Sequence, residues 1–175
     1  MKKNVRVMCS IEGPDMCGKS EIARELANQL SAAYFKNSGE WGPDLRSSDY
    51  FENLLLYGGT LMTDLLCQIR PHVVLDRYYP SEFVYSSVFG RKTNMQVLEK
   101  IDRSFAAAGG KHVICRRKSY EGINDDLHSY VDSEMLRQLD VKYSDFTDWT
   151  KCPVMTLWVD DENLGREINE ILAWI

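Results

Sequence analysis

From Val5 to Ile11 the chain alternates in character and is rich in Val and Ile, which predicts a strand. A turn bearing glycines, Gly13 to Gly18, leads into a helical pattern. Ile22, Ala23, Leu26, Ala27 and Leu30 fall on one helix face, and Glu21, Arg24, Glu25, Asn28 and Gln29 take the other. Ala33 to Lys36 reads as a short second strand. Gly39, Gly42, Pro43, Gly58 and Gly59 predict broken structure over 37–59, with a helical piece near Tyr50 to Leu56. A helix is expected from Leu61 to Ile69, stopped by Pro71, and then a short buried strand, Val73 to Leu75, ending at Asp76. Pro80 to Phe89 predicts a helix. Another starts near Thr93, with Gln96 completing a capping box, and stops at Gly109-Gly110. A strand over His112 to Cys115, a helical spacing within Asp126 to Phe146, a strand over Val154 to Val159 and a closing helix over Glu162 to Trp174 complete the pattern.

Strands alternate with helices throughout, which predicts a layered α/β domain with a mainly parallel sheet. The length of 175 residues suits a single domain over residues 1–175. Hydrophobic residues at 44% and charged residues at 27% exclude a disordered chain, a collagen-like repeat and a disulfide scaffold. The net charge of −5 disfavours a chain-wide basic field for nucleic acid, though not a local basic patch. Cys9, Cys17, Cys67, Cys115 and Cys152 are dispersed with no C-x-x-C pair, which predicts reduced thiols in a cytoplasm and no zinc site. No apolar run reaches the roughly 20 residues of a membrane span, and Met1 to Asn4 do not open a signal peptide.

Gly13-Pro14-Asp15-Met16-Cys17-Gly18-Lys19-Ser20 matches G-x-x-x-x-G-K-S/T between a predicted strand and a predicted helix. Glycines let backbone N–H groups turn inward around phosphate oxygens, and the helix opening at Lys19 directs its positive end at the anion. Residues 13–20, with Glu21 beside them, are therefore the expected contacts of a bound ATP. Lys19 would reach the β- and γ-phosphates, and the Ser20 hydroxyl would ligate Mg²⁺. Asp76 is expected at a strand's C-terminal end, the edge where open α/β sheets bind ligands, and could hold Mg²⁺ or take a proton. Arg77 offers a rigid fork for a phosphate.

With Gly13 to Ser20, Asp15 included, and Asp76-Arg77-Tyr78 with Ser81 and Tyr85, the sequence resembles the thymidylate kinase group of nucleoside and nucleotide kinases. The wording of the second block is most similar to versions from bacterial viruses. The resemblance implies a three-layer α/β/α P-loop kinase fold, its five-stranded parallel sheet in the order 2-3-1-4-5. It implies that the residue at Asp15 contacts the acceptor sugar hydroxyl, that Arg77 binds the acceptor phosphate, and that dimers are common among relatives. Leu61 to Gln68 lacks the arginine with which thymidylate kinases read a pyrimidine, and the stretch is shorter than in that family, so the base-binding wall is expected to be rebuilt or missing.

Arg116, Arg117 and Lys118 lie where P-loop kinases supply lid arginines against the transferred phosphoryl group; a solvated basic turn is the other reading. Arg91 could face an acceptor phosphate, and Lys92 water. Trp41, Tyr50, Phe51 and Tyr57 could stack on a base or pack in the core. Cys17, at a helix N-terminus, could be a low-pKa thiol or point away from the ligand. The expected activity is transfer of the γ-phosphoryl of ATP to a deoxynucleotide such as dTMP. Two alternatives stand beside it: a kinase acting on the hydroxymethyl group of a modified pyrimidine in DNA, and a non-catalytic nucleotide-binding module.

Overall fold

The apolar runs of the sequence become the strands of a single sheet. The computed structural model describes residues 6–36, 49–68, 71–123 and 132–175. Its strands are β1 (Met8–Glu12), β2 (Ala33–Lys36), β3 (Val73–Asp76), β4 (Gly110–Arg116) and β5 (Val154–Trp158). All pair in parallel, in the order β2-β3-β1-β4-β5, as expected. Six helices are described: α1 (Lys19–Leu30), α2 (Asp49–Gln68), α3 (Tyr79–Val88), α4 (Met95–Ala107), α5 (Ser133–Trp149) and α6 (Leu164–Trp174).

Two apolar clusters hold the helices to the sheet. Cys9, Ile11, Val113 and Cys115 pack with Ile22, Leu26, Ile168 and Ile171 of α1 and α6. Met8, Val73, Leu75 and Ile114 pack with Val84, Leu98, Ile101, Phe105 and Phe146 of α3, α4 and α5. Because side chains alternate across a strand, β1 sends Met8, Ser10 and Glu12 toward that second layer. There a buried polar network crosses the core. Ser10 Oγ shares a 2.7 Å hydrogen bond with His112 Nδ1, and His112 Nε2 meets the Tyr79 phenol at 2.8 Å. Tyr79 donates to Asp102 Oδ1 at 2.7 Å, and the Lys151 amide donates to Asp102 Oδ2 at 2.9 Å. Burial pulls the His112 imidazole down to about 3, so it is neutral. No helix among the described residues is long and apolar enough to cross a membrane.

The structure corrects several boundaries. β1 begins at Met8, and Val5 lies outside the described residues. The two helical pieces expected around Gly58-Gly59 are one continuous α2. A Cβ on Gly59 would come within 3.3 Å of Ile101 Cδ1, so this glycine serves the close approach of α2 to α4 and not a chain break. α4 is capped by Asn94, whose side chain accepts from the Val97 amide at 3.3 Å, and not by the expected box from Thr93 to Gln96. α5 starts at Ser133 behind the cap Asp132; residues 126–131, which the sequence pattern included, lie outside the described residues.

Candidate functional site

The loop over 13–18 leaves the C-terminal end of β1 and delivers the chain to the first turn of α1. Gly13 has φ 134°, and a Cβ there would overlap the Cys115 carbonyl oxygen of β4. Glycine is thus required by both conformation and space. Gly18 caps α1 in the left-handed region at φ 63°, and Met16 adopts φ 62° with its side chain exposed. Cys17 turns inward and is buried; burial pushes its thiol up against the opposing pull of Lys19, Tyr120 and Arg117. Pro14 has no amide to offer a ligand, and the Glu21 amide already donates to Gly18 O at 3.1 Å. Lys19 is 6% exposed, with Nζ donating to the Pro14 carbonyl. Burial and then the nearby Arg77 pull its ammonium below the ordinary lysine value.

Parallel pairing sets β3 beside β1 with Ile11 opposite Asp76, so both sequence blocks emerge at one sheet edge. Asp76 is buried and accepts from the Tyr34 phenol of β2 at 2.8 Å. Arg77 follows in the left-handed region at φ 66°, a costly conformation for a side-chain-bearing residue, and its amide bonds to Ile11 O at 3.1 Å. Its guanidinium is held on several sides. Nη2 pairs with Asp15, Nη1 donates to the Tyr85 phenol at 3.0 Å, and Ser81 Oγ lies 3.4 Å from Nη1. Tyr85 donates to Asp15 Oδ2 at 2.9 Å, closing the ring of contacts. The structure therefore gathers Asp15, Lys19, Arg77, Ser81 and Tyr85, with Asp76 beginning the same turn from β3.

The two lid-side arginines part company. Arg116, last in β4, turns toward α5; Nε donates to Asp140 Oδ1 at 2.8 Å, and its charge lies over the Trp158 ring. Arg117 turns back to the phosphate loop. Nε donates to Met16 O at 3.0 Å, and Nη2 pairs with Glu162 at 2.9 Å. The acidic run after β5 is thereby used: the Lys118 amide donates to Asp160 Oδ1 at 2.8 Å, and Asp161 pairs with Arg166. Arg91 pairs with Glu82 at 3.1 Å, and Lys92 is exposed. Trp41 lies outside the described residues, as do the side chains of Tyr50, Phe51 and Tyr57.

Sequence reasoning missed Glu12. It is fully buried at the end of β1, directly before Gly13, and its Oε2 accepts from Ser81 Oγ at 2.8 Å. Its Oε1 is buried with no hydrogen-bond partner. Burial pushes the carboxyl up to about 7 against the opposing pull of Ser81, Arg77, Ser10 and Lys19. A charged residue closing a buried apolar strand, next to a phosphate-loop glycine, was the signal that could have found it.

No family model and no curated protein matches the sequence. Solved structures match in fold. The YorR protein from Bacillus subtilis, in complex with phosphorylated GDP, is 18% identical at TM-score 0.75, over 96% of this chain and 95% of that one. Thymidylate kinase from Candida albicans is 14% identical at TM-score 0.67, over 97% of this chain and 91% of that one. Deoxyadenosine kinase from M. mycoides with bound dATP is 14% identical at TM-score 0.67, over 95% and 98%. At these identities the likeness is one of fold, shared with nucleotide kinases along nearly the whole chain.

Proposed function

We propose that the chain is an ATP-dependent kinase that transfers the γ-phosphoryl group to a deoxynucleotide, with a pyrimidine monophosphate such as dTMP as acceptor. The observation that carries this reading is the cluster of Asp15, Arg77 and Tyr85 beside Lys19. A phosphate loop alone would serve any nucleotide-binding module; an arginine fork held by a carboxylate and a phenol at its mouth provides for a second, phosphate-bearing ligand.

The protein's work is positioning and charge neutralisation. Loop amides and Lys19 hold the donor phosphates, with the α1 N-terminus behind them. Ser20 in the first turn of α1 and Asp76 at the end of β3 are hard oxygen donors on the same sheet edge, the kind of set that suits Mg²⁺. Bound there, the ion would neutralise charge on the donor phosphates. Arg77 meets the acceptor phosphate, which competes with Asp15 for the guanidinium, and frees Asp15 to orient the acceptor. Arg117, bonded to the loop at Met16, is the lid-side arginine nearest the donor, whereas Arg116 steadies α5 through Asp140.

Labelled ATP offered with nucleosides, each deoxynucleoside monophosphate, and plain or hydroxymethylated DNA tests the reading. Label in a deoxynucleoside diphosphate supports it. Label in DNA transfers the assignment to the DNA-modifying alternative, and no transfer to any acceptor leaves only a nucleotide-binding module.

A further inference from the structure

We propose that Glu12 is a proton-linked residue of the phosphate site: its carboxylate takes up a proton from solvent when a nucleotide's phosphates enter the loop and releases it when they leave. The inference rests on the reading of Gly13 to Ser20 as a nucleotide phosphate site.

Glu12 sits beneath the loop with no contact to water, so its charge state answers to its neighbours alone. From β1, Cys9 and Ser10 lie close; the Ser10 hydroxyl shares a hydrogen bond with His112 Nδ1 of β4 and also favours the ionised Glu12 carboxylate. From the loop and α1 come Asp15 and Lys19, and from the end of β3 comes Arg77. From α3 come Ser81 and Tyr85, and from α5 comes Tyr143. His112 is neutral, and burial pushes the Cys9 thiol and the Tyr143 phenol up, so these also stay neutral. Asp15 is matched by Arg77. The hydrogen bonds of Ser81 and Ser10 and the charges of Arg77 and Lys19 therefore keep Glu12 ionised against its burial.

That balance is close. The carboxyl titrates at about 7, so both forms are populated at neutral pH. A nucleotide's phosphates bring several negative charges against Lys19 and the loop amides. Their field opposes the cations' pull on Glu12 and adds repulsion of its own, so the neutral acid becomes the favoured form. Oε1, which has no donor, is the oxygen open to the proton. The change is transmitted to the acceptor side as well, because Ser81 Oγ, 2.8 Å from Glu12, lies 3.4 Å from Arg77 Nη1 and 3.3 Å from the Tyr143 phenol.

The test is titration calorimetry of MgADP into the full chain at pH 7, in buffers of differing ionisation enthalpy. The slope of heat against buffer enthalpy counts protons. Wild type is expected to take up about half a proton per site, falling toward zero at pH 5.5 where Glu12 is already neutral. Glu12→Gln, checked for an unchanged circular dichroism spectrum, is expected to lose that share. Ser81→Ala, which removes the hydrogen bond to the ionised form, is expected to move the uptake maximum to higher pH and serves if the Gln variant does not fold. Equal uptake by wild type and Glu12→Gln, or by wild type and Ser81→Ala across the pH range, assigns the proton to Lys19 or to the phosphates and overturns the proposal. Absence of MgADP binding by wild type itself strikes the phosphate-site reading, and this inference with it.

Discussion

Glu12→Gln also makes a prediction that needs no nucleotide. In the unfolded chain the carboxyl titrates at its ordinary value of 4.5, and in the folded protein at about 7. Between those values the folded state binds more protons than the unfolded one, so stability falls as pH rises. The contribution is fully present below about 4.5 and is lost as pH climbs through about 7. At 1.36 kcal/mol per pH unit the loss amounts to about 3 kcal/mol for wild type by pH 8. Glutamine keeps the oxygen that accepts from Ser81 but has no charge to desolvate. Its amide N–H groups sit where Oε1 finds no partner, at a fixed cost of about 1–3 kcal/mol. The variant should therefore be less stable than wild type at pH 5 and gain about 3 kcal/mol on it by pH 8. Urea unfolding followed by tryptophan fluorescence, at constant ionic strength from pH 5 to pH 8, measures both. Parallel stability curves for the two proteins would refute the placement of a buried ionisable carboxylate.

Lys19→Ala removes the cation of the phosphate loop, and phosphoryl transfer is expected to fall at least about a hundred- to a thousand-fold. The melting temperature should barely change, because an alanine helix start costs little; near-normal turnover would sink the kinase reading. Gly13→Ala drives a Cβ into the Cys115 carbonyl oxygen at a φ of 134°, and should cost about 2–4 kcal/mol in urea unfolding, with MgADP binding lost. Asp102→Ala removes a buried carboxylate and strips the acceptor from the buried Tyr79 phenol and from the part-buried Thr150 hydroxyl and Lys151 amide, and should cost about 3–5 kcal/mol by thermal unfolding. A loss under about 1 kcal/mol would mean that the network is not the buried, fully bonded unit described.

What the sequence made legible was what local spacing encodes. Gly13 to Ser20 and Asp76-Arg77 are contiguous words, and the strand before each one places it on the sheet edge. Glu12, Tyr34 and Tyr143 were hidden because their proximity to the site is a product of parallel register and layer packing: β2 and β1 flank β3, and α5 crosses Ser81. The glycines of α2 misled for a related reason. Their sequence meaning is freedom, but at Gly59 the structural meaning is smallness against Ile101. Arg116 and Arg117 are adjacent and alike in sequence, and only the end of β4 decides that one clamps Asp140 while the other reaches Met16.

The charge arithmetic bears on the acceptor. With a net charge of −5, the chain could still have gathered its cations on one face for a DNA strand. Of the five candidates for such a face, three are instead held by carboxylates, Arg91 by Glu82, Arg116 by Asp140 and Arg117 by Glu162, while Lys92 and Lys118 are exposed. A polyanion would have to break these pairs one by one, whereas a single nucleotide has to displace only Asp15 from Arg77 and otherwise uses the loop and Lys19. The difference is measurable as salt dependence. A duplex DNA acceptor held through three phosphate contacts would lose about twentyfold in affinity for each threefold rise in salt, and a single strand about tenfold, because each contact releases counterions. For this chain the acceptor KM is expected to change by less than about twofold between 0.1 and 0.3 M NaCl. A tenfold rise would overturn the small-acceptor reading and require that the three ion pairs open in the working enzyme.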